Sequence, residues 1–344
     1  MQAPIDLDKI TEEELLNLKI CDLPISIQGT WLEECVQQLY DELKSKEIIF
    51  RPACYLADEW LTPEWETCIG IPFYLAHPML IRLERKFMID AEGETKSWCM
   101  KLLRHEAGHA IFYAYNFHKM EKWADMFGAP SAEYKDHYKF RPYSKSFVHH
   151  LEGYYAQYHP EEDFVETFAV WLTPDMNWSE RYKGWGAYKK LSYVDQLMSE
   201  IKGKPPLVTS QRKFWRLSTL RLTLKKYYKK KRHFWAEEFP DFHDSFLRKV
   251  FQAVETAPAK KSSASTFIKH NRRDILNTVT KYTGERKYIV EYILRNLQKR
   301  GRELKLAITD NPNKDLIHVS SYITSLCMNY RYTGRYRGEK KKRL

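Results

Sequence analysis

The sequence predicts an α+β protein in which a small mixed sheet packs on a helix, followed by a mostly helical C-terminal region. Three observations favour this class. Apolar residues recur at helical spacing in several segments, and the apolar, partly β-branched segment 46–60 is typical of a strand. Charge is also distributed unequally along the 344 residues. The length suits one large domain or two ordinary ones.

The charge asymmetry predicts two regions with different roles. Residues 1–200 contain 21 basic and 33 acidic side chains, a net charge of −12, whereas residues 201–344 contain 35 and 12, a net charge of +23. Gly203, Pro205 and Pro206 interrupt the pattern near this change. We therefore predict an N-terminal domain at 1–204, a basic region at 205–344, and a loop or linker at 255–266.

Composition excludes several classes of protein. The six cysteines are scattered without a CxxC pair, which argues against a thiolate zinc cluster and against a disulfide framework. No apolar run approaches the roughly 18 residues that a membrane span needs. The acidic N-terminal segment lacks the features of a secretory signal. We expect a cytoplasmic protein with no membrane partner.

The first elements follow from periodicity. Segment 30–45 predicts an amphipathic helix with Thr30 as its N-cap, and 46–60 predicts a strand. Segment 69–89 predicts one or two more strands, because 79–85 (MLIRLER) alternates apolar and charged residues. An edge strand at 79–85 could pair with a peptide substrate.

The next helix contains a candidate metal site. Its apolar stripe covers 95–117 and includes the sequence HEAGH, with His105 and His109 four residues apart. Such residues are rotated by about 40° and rise about 6 Å, so both imidazoles can reach one ion. In zinc hydrolases with this motif, the glutamate, here Glu106, acts as general base. Gly108 costs roughly 1 kcal/mol relative to alanine, which indicates a close approach of another element.

A third ligand is expected from a second helix downstream. Segment 159–174 has Pro160 in its first turn and acidic residues at its N-terminal end, as helices prefer. Glu166 lies among apolar residues, where a carboxylate is costly unless it is paired or bound to metal. Glu166 is therefore the predicted third ligand. Glu162 and Asp163 remain alternatives, and Asp163 could instead orient a ligand histidine.

HEAGHA followed by PEEDFVETFAVWL resembles the gluzincin metallopeptidases, and more closely a bacterial zinc-binding metallopeptidase family. The resemblance extends from about Trp31 to 201, and its two motifs are separated by 57 residues between His109 and Glu166. It implies a zincin-like domain in which Zn²⁺ is bound by His105, His109 and Glu166. It also implies hydrolysis of a peptide or protein substrate by a zinc-activated water, with Glu106 as the base.

The oxyanion of such a reaction usually needs a hydrogen-bond donor, often a tyrosine or histidine. Segment 144–163 offers several, and Tyr158 is the preferred candidate because it lies at the entry of the 159–174 helix.

The basic half predicts an alternative function. Segment 211–235 interleaves Arg and Lys with aromatic residues, and the chain ends in a basic run. Such segments can neutralise phosphates and stack on bases. The alternative is therefore a basic nucleic-acid-binding protein with a structural or inactive metal site. Segment 267–300 predicts two helices joined at Thr283–Gly284, and 316–330 suits a helix or a strand.

Overall fold

A computed structural model describes residues 5–88, 91–134, 141, 144–233, 243–253 and 262–333. The contacts divide the chain into two compact units. The first contains the chain up to Phe87 and Ala91–Lys229, and the second contains Met88 and the chain from Lys230 onward. The sequence had placed the boundary at 204–205. In the structure, Leu207 and Val208 donate backbone hydrogen bonds to the carbonyl of Ala114, inside the first unit.

The first unit is mostly helical. Its helices are α1 (Glu12–Asn17), α2 (Trp31–Ser45), α3 (Pro78–Met88), α4 (Lys96–Ala114), α5 (Glu121–Phe127), α6 (Pro160–Leu172), α7 (Trp178–Arg181), α8 (Ala187–Glu200) and α9 (Leu224–His233), the last of which continues past the division between the units.

A two-stranded sheet accompanies these helices, so the α+β class and the small sheet are confirmed. Strand β1 (Ala53–Ala57) pairs in parallel with β2 (Cys68–Pro72). Antiparallel pairing occurs among the described residues of this unit only as single bridges, so the sheet is less mixed than predicted. One bridge joins Leu61 to Gly70, where a Cβ would lie 2.5 Å from a methyl of Leu61. Only glycine allows this approach.

The strand predicted at 79–85 is wrong, because this segment belongs to helix α3. Pro78 occupies the first position of the helix, where its missing N–H is harmless. Leu80, Leu83 and Glu84 are buried, and this spacing matches a helical face. The short alternation of apolar and charged residues in this segment fits the period of a helix as well as that of a strand. The proposed template for a peptide substrate is therefore absent from this segment.

The helix predictions around the candidate site are confirmed. Thr30 caps α2 by accepting a hydrogen bond from the Leu32 N–H, and Thr95 caps α4 in the same way from the Trp98 N–H. Helix α4 differs from the predicted amphipathic helix in one respect, because every residue from 102 to 114 is buried. A helix buried on all sides belongs to the centre of a core.

Helices α4 and α6 pack in direct contact at Gly108. A Cβ at this position would lie 3.0 Å from Cγ1 of Val165, 3.1 Å from its Cα and 3.2 Å from Cδ1 of Phe168. The close approach that the glycine indicated is therefore observed. It brings the HEAGH turn of α4 against the first two turns of α6.

The second unit is also mainly helical. Its helices are α10 (Asp244–Val250), α11 (Ala264–His270), α12 (Arg272–Thr283), α13 (Lys287–Glu303) and α14 (Pro312–Thr333), with a short antiparallel pair of β3 (Gln252–Ala253) and β4 (Leu306–Ala307). Gly284 ends α12 in the left-handed conformation, as the predicted junction requires. Segment 316–330 is helical.

The linker predicted at 255–266 is only partly described. Residues 255–261 lie outside the described residues. Ser263 caps α11 by accepting a hydrogen bond from the Thr266 N–H, so 264–266 are helix rather than linker. A serine before a helix is as typical of an N-cap as of a flexible segment, which explains the difference.

Candidate metal centre

His105 and His109 turn the same ring nitrogen toward one carboxylate. Nε2 of His105 lies 3.3 Å from Oε2 of Glu162, and Nε2 of His109 lies 3.4 Å from the same oxygen. The ligand atoms of these three residues all lie within 4.8 Å of one another. All three side chains are buried. Glu162, in the first turn of α6, is therefore the carboxylate that faces both Nε2 atoms, whereas the predicted third ligand, Glu166, lies against Nδ1 of His105.

The other ring nitrogen of each histidine is held by a second carboxylate. Nδ1 of His105 lies 2.8 Å from Oε1 of Glu166, and Nδ1 of His109 lies 2.7 Å from Oε1 of Glu161. With the proton on Nδ1, each histidine donates to its carboxylate and presents a bare Nε2. This is the arrangement in which carboxylates orient metal-binding histidines. The geometry favours Glu166 as an orienting residue rather than a ligand.

Both orienting carboxylates are themselves fixed. The backbone N–H of Leu151 donates to Oε2 of Glu166 over 2.8 Å. The hydroxyl of Tyr113 donates to Oε1 of Glu161 over 2.7 Å. These hydrogen bonds set the orientation of the carboxylates, and through them the orientation of the two imidazoles.

The residues of this cluster fit a zinc ion. Tyr134 donates its hydroxyl to Oε1 of Glu162 over 3.2 Å, whereas the buried Oε2 faces the two Nε2 atoms and has no other partner among the described residues. A buried carboxylate oxygen needs a positive partner, which protonated imidazoles or a bound cation can supply. Two ligands about 2.1 Å from a tetrahedral ion are separated by about 3.4 Å, close to the distances from this oxygen to the two Nε2 atoms. Three protein ligands leave one position open.

Asp163 is a buried carboxylate in the first turn of α6. It forms a buried ion pair with Lys190. Burial raises the pKa of Asp163 to about 7, although the Lys190 ammonium acts in the opposite direction. The carboxylates that lie against the two Nδ1 atoms are those of Glu166 and Glu161 rather than that of Asp163.

Without a metal ion, the cluster holds protons tightly. Burial lowers the pKa of His105, but hydrogen bonds and attraction from Glu162 and Glu166 outweigh it and raise the pKa to about 9. The pKa of His109 is also raised, since Glu162 and Glu161 outweigh its burial. Burial opposes ionisation of Glu162, yet the two histidines hold its pKa below the ordinary value. A cation would replace these protons.

Glu106 lies beside the cluster as a candidate base. Its side chain is buried, and Oε2 has no hydrogen-bond partner within the described part of the chain. Burial raises the pKa of this carboxyl, and His105 and His109 partly offset the rise. The hydroxyl of Thr62 donates to the Glu106 carbonyl over 3.0 Å and joins this turn of α4 to the segment after β1.

Tyrosines line the same region. The ring centroid of Tyr155 lies 5.5 Å from that of His105 and 5.7 Å from that of Tyr158. Burial raises the pKa of Tyr155, and the negative charges of Glu162 and Glu106 add to the rise. The predicted Tyr158 therefore lies next to a tyrosine that contacts the metal cluster, and its own role stays a prediction.

The sequence interpretation missed three residues: Glu161, Tyr113 and Tyr134. A signal existed for Tyr113, because it lies four residues after His109 and hence on the same face of α4. Glu161 was interpreted only as a favourable charge at a helix N-terminus. Tyr134 lies in a segment without periodicity, so nothing local could have indicated it.

The basic stretch 211–235 is described as far as residue 233. Leu224 and Tyr228 are buried in it, and the hydroxyl of Tyr227 donates to the Asp58 carbonyl. Phe214 and Trp215 are exposed instead. Most of the basic chain end lies outside the described residues.

Comparison with models of known protein families, with curated proteins and with solved structures finds no match for this chain. No family is therefore shown, and the resemblance to bacterial metallopeptidases stays an expectation. In the part of the chain that the structure describes, none of the helices has both the length and the apolar character of a membrane span.

Proposed function

We propose that the protein is a zinc-dependent hydrolase that cleaves peptide bonds, with His105, His109 and Glu162 as metal ligands and Glu106 as general base. One observation carries the proposal. The Nε2 atoms of both imidazoles lie within 3.4 Å of one carboxylate oxygen of Glu162, while Nδ1 of each imidazole lies against a carboxylate of its own. This is a ligand set with its orienting groups already in place.

Each side chain has a separate task in this proposal. A bound zinc ion lowers the pKa of a coordinated water to about 7 and polarises a carbonyl. Glu106 accepts the proton of the attacking water and delivers it to the departing amine. Its raised pKa suits both steps, because a base that must later act as an acid works best near neutrality. Glu161 and Glu166 hold the imidazole rings.

The unpartnered oxygen of Glu106 supports catalysis over a purely structural metal site. A structural zinc usually has four protein ligands. Among the described residues the cluster offers three, and next to it lies a buried carboxylate with an oxygen that has no hydrogen-bond partner in this part of the chain and that a structural site would not need. Peptides are the proposed substrate because the HEAGH motif is typical of metallopeptidases.

Metal content and hydrolysis test the proposal together. We expect about one zinc per chain and cleavage within a peptide library, abolished by chelation and restored by zinc. Glu106→Gln should retain zinc and lose at least two orders of magnitude in rate, as expected for loss of a general base. Glu84→Gln provides the control, because it also neutralises a buried glutamate of the first unit but lies outside the cluster. Equal cleavage by wild type and Glu106→Gln would contradict the mechanism.

The oxyanion donor is tested by two tyrosine variants. We propose that Tyr158 or its neighbour Tyr155 stabilises the oxyanion, and the contact of Tyr155 with His105 favours Tyr155. Tyr155→Phe and Tyr158→Phe each remove one hydroxyl while preserving the ring. The variant that lowers kcat with little change in KM identifies the donor.

A further inference from the structure

The segment 211–216, with the sequence QRKFWR, has all of its side chains exposed. Phe214 and Trp215 are 43% and 58% exposed, and their ring centroids lie 6.0 Å apart. Arg212, Lys213 and Arg216 flank the two rings. We call residues 212–216 the aromatic–basic segment. Two large exposed aromatic rings between three cations are unusual on a surface that only needs to be solvated.

The backbone of this segment is fixed to the sheet, although its side chains are not. Tyr55 of β1 donates its hydroxyl to the Phe214 carbonyl over 3.0 Å. Arg216 forms an antiparallel bridge with Ala57, the last residue of β1. The N–H of Arg212 donates to Oε2 of Glu66 over 2.7 Å. The backbone is therefore fixed at residues 212, 214 and 216, so little backbone conformational entropy is lost when the segment binds a partner.

Trp215 is held in an unfavourable backbone conformation. Its φ is +45°, in the left-handed region that bulky residues rarely adopt. The ring is largely in water, so burial does not compensate for this strain. Strain of this kind persists where the surrounding structure imposes it, and it occurs preferentially at functional sites.

The charges of the segment are available to an outside partner. Nε of Arg212 lies 3.9 Å from Oε1 of Glu66, and Nζ of Lys213 lies 5.9 Å from the ring centroid of Tyr55. Glu66 already accepts hydrogen bonds from the Ser210 hydroxyl and the Arg212 backbone at its other oxygen. Further along the chain, α9 adds the exposed Lys225, Lys226 and Lys229. The cations therefore continue beyond the aromatic pair.

We infer that the aromatic–basic segment binds single-stranded nucleic acid, with bases stacked on Phe214 and Trp215 and phosphates paired with Arg212, Lys213 and Arg216. Single strands are the polyanions whose bases are free to stack on exposed rings. A membrane surface would attract the cations but would require apolar residues to enter the lipid from a fixed sheet edge. An acidic peptide would use the charges without needing two adjacent rings. This inference does not depend on the metal centre.

Fluorescence anisotropy with a labelled mixed-sequence 20-nucleotide RNA tests the inference on the full chain. Wild type should bind at 50 mM salt, and chelation of metal should leave binding unchanged. Phe214→Ala/Trp215→Ala should weaken binding at least tenfold, because each stacked base contributes about 1–3 kcal/mol and 1.4 kcal/mol corresponds to tenfold. Arg212→Gln/Lys213→Gln/Arg216→Gln should reduce the slope of log K against log salt by about 2.

A matched charge control separates this segment from general basic character. Lys183→Gln/Lys189→Gln/Lys204→Gln removes three exposed charges elsewhere on the first unit and should leave affinity within about threefold of wild type. Equal weakening by both triple variants would overturn the inference. So would the absence of binding at low salt, insensitivity to loss of the two rings, or competition by anionic vesicles or a polyglutamate peptide as effective as that by unlabelled RNA. Loss of peptidase activity would bear only on the proposed function.

Discussion

At the scale of single residues, the candidate site depends on how four carboxylates are arranged around the ring nitrogens of two histidines. Glu162 faces both Nε2 atoms, Glu161 and Glu166 each hold one Nδ1, and Glu106 stands beside them. These carboxylates differ in role although all are buried glutamates. Their positions in the first two turns of α6 and in the HEAGH turn of α4 decide which oxygen faces which nitrogen.

The first prediction distinguishes the proposed metal ligand from the residues that are proposed to orient the histidines. Glu162→Gln should abolish tight zinc binding, because it replaces the one carboxylate that faces both Nε2 atoms. Glu166→Gln and Glu161→Gln should weaken zinc binding about 10- to 100-fold, the usual cost of losing an orienting partner. Competition with a fluorescent chelator measures all three. The reverse order, with Glu166→Gln losing zinc and Glu162→Gln retaining it, would restore Glu166 as the ligand.

The second prediction concerns pH. Zinc binds neutral imidazole, and the metal-free protein keeps His105 protonated up to a pKa of about 9. Rising pH removes this competing proton. For each proton that zinc displaces, the zinc affinity should therefore increase about tenfold per pH unit between pH 7 and pH 9. Calorimetry in buffers of different ionisation enthalpy should detect proton release. An affinity that is constant over this range would show that the histidines are already neutral without metal.

The sequence predicts His105, His109 and Glu106, with Glu166 as third ligand and Glu162 and Asp163 as alternatives, and the structure brings Glu162 and Glu166 to the two histidines. Glu162 and Glu166 lie one turn apart on the same face of α6, so helical spacing alone brings both toward the histidines. The choice between them depends on where α4 crosses α6, and this is set by side chains such as Gly108 and Val165. Periodicity contains no information about that crossing point.

At the scale of elements, the contact of α4 with α6 controls the geometry of the cluster. Gly108→Ala should destabilise the first unit by about 1–3 kcal/mol, because the new Cβ would press on the Val165 backbone and on Phe168. It should also lower zinc affinity by displacing α6. Urea unfolding and chelator competition measure the two effects.

Gly301→Ala is the matched control for this substitution. Gly301 also lies inside a helix, α13, but a Cβ there would meet its nearest atom at 3.6 Å, an ordinary contact. This variant should gain up to about 1 kcal/mol from the better helix propensity of alanine. A stabilising Gly108→Ala would mean that α4 and α6 are less closely packed than the structure has them.

Capping residues made the helices of the first unit predictable, whereas short alternation did not predict strands. Thr30, Thr95 and Pro160 each define a helix start by local hydrogen bonding or ring geometry. Segment 79–85 itself contains no such capping signal. Over so few positions, its apolar residues fit the period of a helix as well as that of a strand. Burial against the rest of the unit decides in favour of α3.

At the scale of the whole molecule, the two units can be probed separately. In the second unit, Nδ1 of His243 lies 3.0 Å from the Tyr322 hydroxyl, and burial lowers the pKa of His243 to about 4. The unfolded chain takes up this proton near pH 6.5, whereas the folded unit resists it until about pH 4. Stability is therefore complete above pH 6.5 and declines as the pH falls toward 4.

This loss of stability in acid should be detectable within the second unit. The decline should reach on the order of 3 kcal/mol, seen as faster hydrogen exchange in α10 and α14. His243→Gln should remove most of it, because glutamine does not titrate. His270→Gln, at an exposed histidine of the same unit, should leave it in place. Acid sensitivity equal in His243→Gln and wild type would contradict the assignment.

The charge asymmetry predicted two regions but not where the chain passes between them. Basic residues begin near 201, yet segment 207–216 is hydrogen-bonded to Ala114, Glu66 and Tyr55. The exposed cations of this segment can belong to a different unit from the other basic residues, because surface charge does not decide which core a segment packs against. Composition does not predict which backbone groups form hydrogen bonds with distant strands.

The close contact between Gly108 and Val165 also links the candidate metal centre to the survival of the fold. All three candidate ligands belong to the two helices that meet there. A small parting of this pair would separate Glu162 from the two imidazoles. If the proposed zinc ion binds there, loss of the ion and loss of the core share one weak point, and depletion of zinc in a cell would then expose the chain to proteolysis.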